Sequence, residues 1–295
     1  MTGVLLMAYG TPRNLDEVEA FYTDIRGGRT PAPQLVEQLR NRYRAVGGST
    51  PLLEITRRQG AALQAALGPD FHVVVGMKHW YPYIREAVEQ LAAAGVGETV
   101  ALALAPHYSA MSVGAYLQEV DEARQAIGSA FGLRPVHCWH LQPRYLQAIA
   151  DRARAALKDF GAQTVVFTAH SLPRRILDSG DPYVSQLQET GAALAADLRL
   201  EHWEFAFQSA GATGDAWLGP DILQTLSRLA GEDVRRVLVT PIGFIADHLE
   251  ILYDLDVQAK NAAAGLGIDL RRIESLNDSP ALIDALKAAV LEALT

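Results

Sequence analysis

Short apolar runs alternate with longer amphipathic segments along the whole chain. Short runs that are apolar on both alternations are typical of strands covered on both faces, whereas apolar residues every three or four positions predict helices. This alternation favours an α/β fold with parallel sheets. The pattern predicts strands over residues 4–7, 72–75, 99–104, 136–139, 164–168, 203–207, 236–240 and 270–273. It predicts helices over residues 15–25, 33–46, 55–67, 84–94, 113–130, 143–160, 183–198, 222–229, 250–266 and 280–294.

The two halves of the chain resemble each other. The first predicted strand runs into Tyr9 and the fifth runs into His170, and later in each half a strand ends in a proline turn. One interpretation is a duplicated doubly wound lobe, with residues 1–149 forming the first lobe and 150–295 the second. The alternative is that strand-to-helix turns often carry Gly, Ser and Pro without any duplication.

Several residues with chemical potential follow predicted strands. Ligands of doubly wound sheets bind beyond the carboxyl ends of the strands, so in a two-lobed protein these ends can line one shared cleft. The residues at these positions are Tyr9, His79, His107, His170, Gln208 and Gly243.

The composition narrows the function classes. The chain of 295 residues has a net charge of -8, which does not favour a nucleic-acid partner. Its single cysteine, Cys138, excludes an intrachain disulfide and a four-cysteine iron–sulfur cluster. No apolar run approaches the roughly 20 residues that span a bilayer. We expect a soluble cytoplasmic protein that makes no integral membrane contact.

His170 is the first candidate for chemistry. It follows the apolar run 164–169, so it is expected to emerge at the end of a strand. A histidine there can ligate a metal or transfer protons near neutral pH. The alternative is that its side chain caps the next turn.

Glu250 is the second candidate. With Asp247 three residues earlier, it fits a capping box that opens a helix. In the other interpretation, Glu250, Asp254 and Gln258 share one helix face because they are four residues apart. Such a line of oxygen ligands could pass a divalent cation inward. A solvated polar face remains the ordinary alternative for Asp254.

Several segments taken together resemble the ferrochelatases. They occur in the family's order and cover nearly the whole chain: 6–12, 40–43, 47–52, 76–79, 105–109, 168–173, 208–209, 217–221 and 241–250. The resemblance implies two similar Rossmann-like lobes, each a doubly wound parallel sheet, around a porphyrin cleft. It also implies an enzyme of haem biosynthesis that inserts ferrous iron, as a substrate, into a porphyrin. No prosthetic group is implied, and a monomer is expected.

The resemblance also implies roles for individual residues. His170 matches the metal-site histidine and Glu250 its partner carboxylate, on one face of the macrocycle. The stretch around Tyr9 looks like the coproporphyrin III variant, in which Tyr9 would approach the product iron from the opposite face. Asp254 would belong to an outer metal site, which the glutamine at position 258 puts in question. The matching substrate-binding positions are Tyr9, Arg26, Arg42, Tyr43, Thr50, Lys78, His79 and Tyr116.

The chemistry of metal insertion agrees with this residue set. Two pyrrole protons must leave the porphyrin as the metal enters, so a base and a weak, exchangeable metal site are needed. Ferrous iron accepts both imidazole and carboxylate ligands. Two alternatives stay open at this point: a cobalt or nickel chelatase for a sirohydrochlorin-type tetrapyrrole, and a haem carrier with Tyr9 as axial ligand.

Overall fold

Two parallel sheets of four strands each form the framework of the protein. The computed structural model describes residues 1–129, 131–211 and 214–295. Within these residues the first sheet has the strand order β2-β1-β3-β4 and the second has the order β6-β5-β7-β8. The strands are β1 Thr2–Ala8, β2 Phe71–Met77, β3 Glu98–Ala103, β4 Gly132–Val136, β5 Thr164–His170, β6 Trp203–Gln208, β7 Arg236–Pro241 and β8 Asp269–Arg272. The repeated order confirms the predicted pair of doubly wound α/β lobes. We call the part built on β1–β4 the first lobe and the part built on β5–β8 the second lobe.

Helices cover both sheets. They are α1 Val18–Ile25, α2 Pro33–Ala45, α3 Leu52–Leu67, α4 Ile84–Ala93, α5 Ala115–Ala126, α6 Pro143–Phe160, α7 Tyr183–Leu198, α8 Ile222–Gly231, α9 Leu249–Leu252, α10 Lys260–Gly265 and α11 Pro280–Glu292. Two 3₁₀ helices, Leu15–Glu17 and Arg174–Leu177, and two π-helices, Ala110–Gly114 and Asp254–Ala259, complete the set. In the described residues no helix is both long and apolar enough to cross a membrane.

Helix α6 shows how the sequence sets local structure. The side chain of Gln142 accepts a hydrogen bond from the backbone of Arg144, and Pro143 occupies the first helical position. Gly161 ends the helix in the left-handed conformation, with φ of 60°. These signals explain why the predicted bounds of this helix match the observed ones.

Three of the predicted elements differ clearly from the structure, and the helix expected from residue 55 begins earlier, at Leu52. The strand expected over residues 136–139 is β4, which spans Gly132–Val136. It was misplaced because Pro135 disrupts the sequence pattern of a strand, although an edge strand tolerates a proline. The helix expected from residue 113 begins in a π-helix at Ala110, and its expected last residue, Ala130, lies outside the described residues. The helix expected over residues 250–266 is divided into α9, a π-helix and α10.

One apolar cluster joins the two lobes. It contains Leu6 of β1, Phe167 of β5, Ile149 and Ala150 of α6, and Leu286 of α11. The expected boundary after residue 149 falls inside α6, and this helix contributes to a core shared by both lobes. The boundary stays a prediction.

Candidate active site

The strand ends of the second lobe bring the first candidate residues together. His170 and Gln208 are the last residues of β5 and β6, and they are paired in register. Gln208 is buried and donates a hydrogen bond from Nε2 to the backbone oxygen of Glu250 at 2.8 Å. Gly243 allows the chain after β7 to pass close by, since a Cβ there would lie 2.6 Å from the Cβ of Ala169. The carboxyl ends of β5 and β6, together with the close passage of the chain at Gly243, therefore bring Glu250 next to His170.

His170 and Glu250 form an ion pair. The Nε2 atom of His170 lies 3.2 Å from Oε1 of Glu250, and the two side chains are 30% and 27% exposed. The Nδ1 atom of His170 donates to the carbonyl oxygen of Ser171, which fixes the ring and directs Nε2 toward the carboxylate. The hydroxyl of Tyr183 donates to the backbone oxygen of His170 at 3.0 Å. The imidazole is thus held in one orientation.

The electrostatics of this pair favour charge on both partners. Burial acts to raise the pKa of Glu250, but the charge and hydrogen bond of His170, with His248 assisting, hold that pKa well below its usual range. Burial acts to lower the pKa of His170, yet the Glu250 carboxylate outweighs it and the pKa is raised. The carboxylate is therefore the permanent anion, and the imidazole is the stronger proton acceptor of the two.

His248 is a third member of the site, to which the sequence interpretation gave no role. Its Nε2 atom lies 3.4 Å from Oε2 of Glu250, and its Nδ1 atom donates to the carbonyl oxygen of Ala246 at 2.9 Å. Its position inside segment 241–250, two residues before Glu250, was the available signal. In the parts of the chain that the structure describes, no group of three or more His, Cys, Asp or Glu residues could hold a metal ion. The metal-binding roles expected of His170, Glu250 and Tyr9 stay predictions.

The capping-box alternative for Glu250 is wrong. Helix α9 has His248 as its N-cap, and no side chain caps it. The carboxylate of Asp247 is turned away from the helix and accepts hydrogen bonds from three side chains of residues 272–277. Glu250 is consequently free to face His170 rather than the backbone of its own helix.

Tyr9 stands at the end of β1 in the first lobe. Its ring meets that of His79 edge to face at a centroid distance of 4.7 Å, and it is 43% exposed. The Nδ1 atom of His79 is 2.8 Å from a carboxylate oxygen of Asp24. Desolvation raises the pKa of Tyr9, and the charges of Glu250 and Asp24 add to the effect. The phenol is therefore neutral near physiological pH.

Three hydroxyl groups form a chain in the first lobe. The hydroxyl of Thr11 lies 2.8 Å from that of Thr50 and 3.3 Å from that of Tyr43. Tyr43 is buried, and burial followed by the charge of Glu250 raises its pKa. Thr50 and Tyr43 were expected to bind substrate, whereas Thr11 was not singled out. Each of the three hydroxyl groups thus has a hydrogen-bond partner, and each can also donate a hydrogen bond to a carboxylate group.

Lys78 and Tyr116 form a second group in the first lobe. The Nζ atom of Lys78 lies 5.3 Å from the centroid of the Tyr116 ring, within the range of a cation–π contact. Burial lowers the pKa of Lys78, and burial raises the pKa of the nearby Glu119 to about 7. Burial also raises the pKa of Tyr116, and the nearby Tyr9 and Glu250 add to the effect. The carboxylate of Glu250 in the second lobe therefore makes a smaller contribution here, as it does at Tyr9 and Tyr43.

The two arginines expected to bind the substrate differ in their surroundings. Arg42 pairs with the buried Asp254 across the lobes and lies 5.0 Å from the ring centroid of Tyr253. Arg26 lies over the ring of Tyr22 at 5.9 Å, and its buried Nε atom has no hydrogen-bond partner in the described part of the chain. Among the described ion pairs none involves Arg26, which leaves its guanidinium available to an added carboxylate.

The carboxylate of Asp254 already has hydrogen-bond partners within the protein. Besides Arg42, the hydroxyl of Ser209 donates to its carboxylate. Burial raises the pKa of Asp254, against the opposing charge of Arg42. Gln258, four residues further along the π-helix, is exposed. The outer metal site stays a prediction, and a cation there would have to compete with Arg42.

Comparison with known proteins identifies the family of the chain. The sequence model of the family "Ferrochelatase" matches residues 1–294. A protein named ferrochelatase from Herpetosiphon aurantiacus is 48% identical over 98% of both chains. A coproporphyrin III ferrochelatase from Listeria innocua is 37% identical, over 99% of this chain and 98% of its own. The solved sirohydrochlorin chelatase of Bacillus subtilis in complex with cobalt shares the fold, with a TM-score of 0.61 at 12% identity over 99% and 94% of the chains. A whole-chain family match and an identity of 48% leave one assignment: this chain belongs to the ferrochelatase family.

Proposed function

We propose that this chain inserts Fe²⁺ into coproporphyrin III and releases iron coproporphyrin III and two protons. The observation that carries the proposal is the His170–Glu250 ion pair of 3.2 Å at the carboxyl end of the second sheet. The family to which the chain belongs supports iron and a porphyrin as the reactants. In Tyr9, Tyr43 and Tyr116 of the first lobe the charge of Glu250 adds to the larger effect of burial on the pKa, and this proximity supports a substrate position between the pair and the first lobe.

The pair suits the two tasks of metal insertion. In the balanced reaction the metal replaces two pyrrole protons, so the porphyrin loses two N–H bonds and gains bonds to iron. His170, whose pKa is raised, can accept one pyrrole proton at Nε2 once that atom has lost its own proton and the metal ion has passed to the ring, and the second pyrrole proton leaves to solvent. Glu250, whose pKa is low, stays anionic and attracts Fe²⁺. A two-residue site binds the ion weakly enough to pass it on to the ring.

The choice of coproporphyrin III rests on its four carboxylates. Relatives named coproporphyrin III ferrochelatase, among them those of Listeria innocua and Halalkalibacterium halodurans, are 37% and 40% identical to the chain. The first lobe offers Arg26, whose buried Nε has no hydrogen-bond partner in the described residues, the ammonium of Lys78 and the hydroxyl groups of Thr50 and Tyr43. These groups suit propionates, because charged hydrogen bonds between such partners are strong and directional. A monomer in the cytoplasm without a prosthetic group stays a prediction.

The test is a comparison of two porphyrins. Initial rates of Fe²⁺ insertion are measured without oxygen for coproporphyrin III and protoporphyrin IX in the same detergent. A hydrogen bond to a charged group contributes roughly 1.5–3 kcal/mol, so the loss of two propionates should lower kcat/KM at least about ten-fold. Arg26→Met should reduce the difference in kcat/KM between coproporphyrin III and protoporphyrin IX. A preference for protoporphyrin IX would contradict the proposed substrate.

A further inference from the structure

The segment that carries Glu250 has little support of its own. Helix α9 spans only four residues, has no side-chain cap and passes directly into the π-helix Asp254–Ala259. Short helices are marginal without tertiary contacts, and π-helical turns are intrinsically unfavourable. Contacts from outside residues 247–256 must therefore hold Glu250 in place against His170, and the hydrogen bond from Gln208 to the backbone oxygen of Glu250 is one of them.

Arg272 provides such a contact from the last position of β8. Its Nε and Nη2 atoms donate to the two carboxylate oxygens of Asp256 at 2.7 and 2.8 Å. The same Nη2 atom reaches Asp247 at 3.2 Å, and Nη1 donates to the carbonyl oxygen of Ile273 at 3.0 Å. The guanidinium thus joins the residue three positions before Glu250 to one six positions after it. Because it closes both ends of the segment, it restricts the position of the carboxylate between them.

The Asp247 end is further tied to the first lobe. Its carboxylate also accepts from the hydroxyl of Ser275 at 2.7 Å and from the amide of Asn277 at 2.9 Å. The backbone N–H of Asp247 donates to the side chain of Asn277 at 2.8 Å. Gln59 of α3 then donates to the backbone oxygen of Asn277 at 2.6 Å. The segment that bears Glu250 is therefore anchored to β8 by Arg272 and to a first-lobe helix through Asn277.

The chemistry of this junction requires a guanidinium. Two carboxylates converge on one largely buried cation, and a planar fork can serve both, whereas a lysine ammonium offers a single point of charge. We propose that Arg272 is a positioning residue for metal insertion, one that fixes the carboxylate of Glu250 relative to His170 by joining Asp247 to Asp256. The proposal rests on the proposed function of the His170–Glu250 pair, and it adds a residue outside the segments that carry the family resemblance.

The neighbouring arginine supplies a matched control. Arg271 precedes Arg272 on β8 and points to the opposite face of the sheet, as successive strand residues do. It is half-exposed, lies 4.3 Å from the ring centroid of Phe160 and pairs with Asp159 at 3.3 Å, away from residues 247–256. Arg272→Lys and Arg271→Lys therefore change the same chemical group on adjacent residues, and only the first touches the proposed junction.

The experiment measures turnover and backbone protection for both variants. For Arg272→Lys we expect kcat for Fe²⁺ insertion into coproporphyrin III to fall on the order of ten-fold or more, because misplacing a reacting group is costly. The KM for the porphyrin should stay within about two-fold, since no substrate contact is removed. Amide hydrogen exchange within residues 248–256 should become faster. Arg271→Lys should leave all three quantities near their wild-type values.

Separate outcomes distinguish the two proposals. If the wild-type protein inserts no iron, the proposed function fails, while hydrogen exchange still reports on the junction. If the wild-type protein is active and Arg272→Lys matches Arg271→Lys in kcat and in exchange, the positioning role is overturned. A rise of KM in proportion to the loss of kcat would also overturn it. If Arg272→Lys does not fold, Asp256→Asn breaks the bidentate pair from its exposed side and must give the same pattern.

Discussion

Glu250→Gln tests the electrostatic role of the ion pair without changing the shape of the side chain. The variant removes the carboxylate 3.2 Å from Nε2 of His170 but keeps an amide that can still form a neutral hydrogen bond. A charge-assisted hydrogen bond contributes about 1.5–3 kcal/mol and a neutral one about 0.5–1.5 kcal/mol. Because both side chains retain some exposure, we expect a loss of about 1–2 kcal/mol in the free energy of unfolding.

The loss of unfolding free energy in Glu250→Gln depends on pH, and the pKa shifts of His170 and Glu250 determine the direction of that dependence. The folded-state pKa of His170 is raised, so its stabilisation is complete below the unfolded pKa of about 6.5 and disappears as pH rises through the folded pKa. The folded-state pKa of Glu250 is lowered, so its stabilisation is present above the unfolded pKa of about 4.3 and is lost only in stronger acid. The difference between wild type and variant is therefore largest near pH 5.5 and shrinks in alkaline solution.

Denaturant unfolding of both proteins near pH 5.5 and near pH 9 measures this difference, and iron insertion is assayed on the same preparations. The variant should lose nearly all turnover, because an amide is a poor ligand for Fe²⁺. Glu274→Gln, which makes the same substitution at a side chain that is 95% exposed, provides the control for an ordinary loss of charge. Equal destabilisation of the Glu250 variant at both pH values would refute the electrostatic reasoning. Near-normal turnover would refute the catalytic assignment.

Two further substitutions test other parts of the site. Tyr9→Phe should change the absorption spectrum of bound iron coproporphyrin III while leaving insertion less affected than a change at His170, and an identical spectrum would remove Tyr9 as a ligand of the product iron. Gly243→Ala should lower the free energy of unfolding by about 1–3 kcal/mol, because the added Cβ lies 2.6 Å from the Cβ of Ala169 and the tight crossing must shift. Thermal unfolding compares that variant with Gly97→Ala, where a new Cβ meets no atom within 4 Å, and equal stability of the two variants would contradict the packing argument.

The framework of the protein was predictable because local signals agree with it. Strands such as β1 and β5 are largely apolar and buried on both faces, as expected in a sheet that helices cover on both sides. The capped helix α6 was predicted with its observed bounds. Edge strand β4 was misplaced, since an exposed strand that contains a proline lacks the apolar pattern on which the prediction depends.

The site was only partly predictable, because its contacts are distant in sequence. The position of His170 at a strand end followed from the apolar run before it. The direction of Asp247 did not follow, since its partners lie 25–30 residues away and compete with the local capping motif. In the same way, Arg42 pairs with Asp254 across 212 residues of sequence, and no local sequence pattern around either residue predicts the pair. Side-chain networks of this kind are specified by tertiary structure.

Anaerobic iron insertion by wild type and His170→Ala, each saturated with coproporphyrin III, tests whether His170 is required for metal insertion. Fluorescence quenching first establishes that both proteins bind the porphyrin, and the formation of iron coproporphyrin is then followed by absorbance. We expect steady metallation by the wild type and none above the uncatalysed rate by the variant, with porphyrin binding retained. Metallation by His170→Ala at a rate near that of the wild type would contradict this expectation.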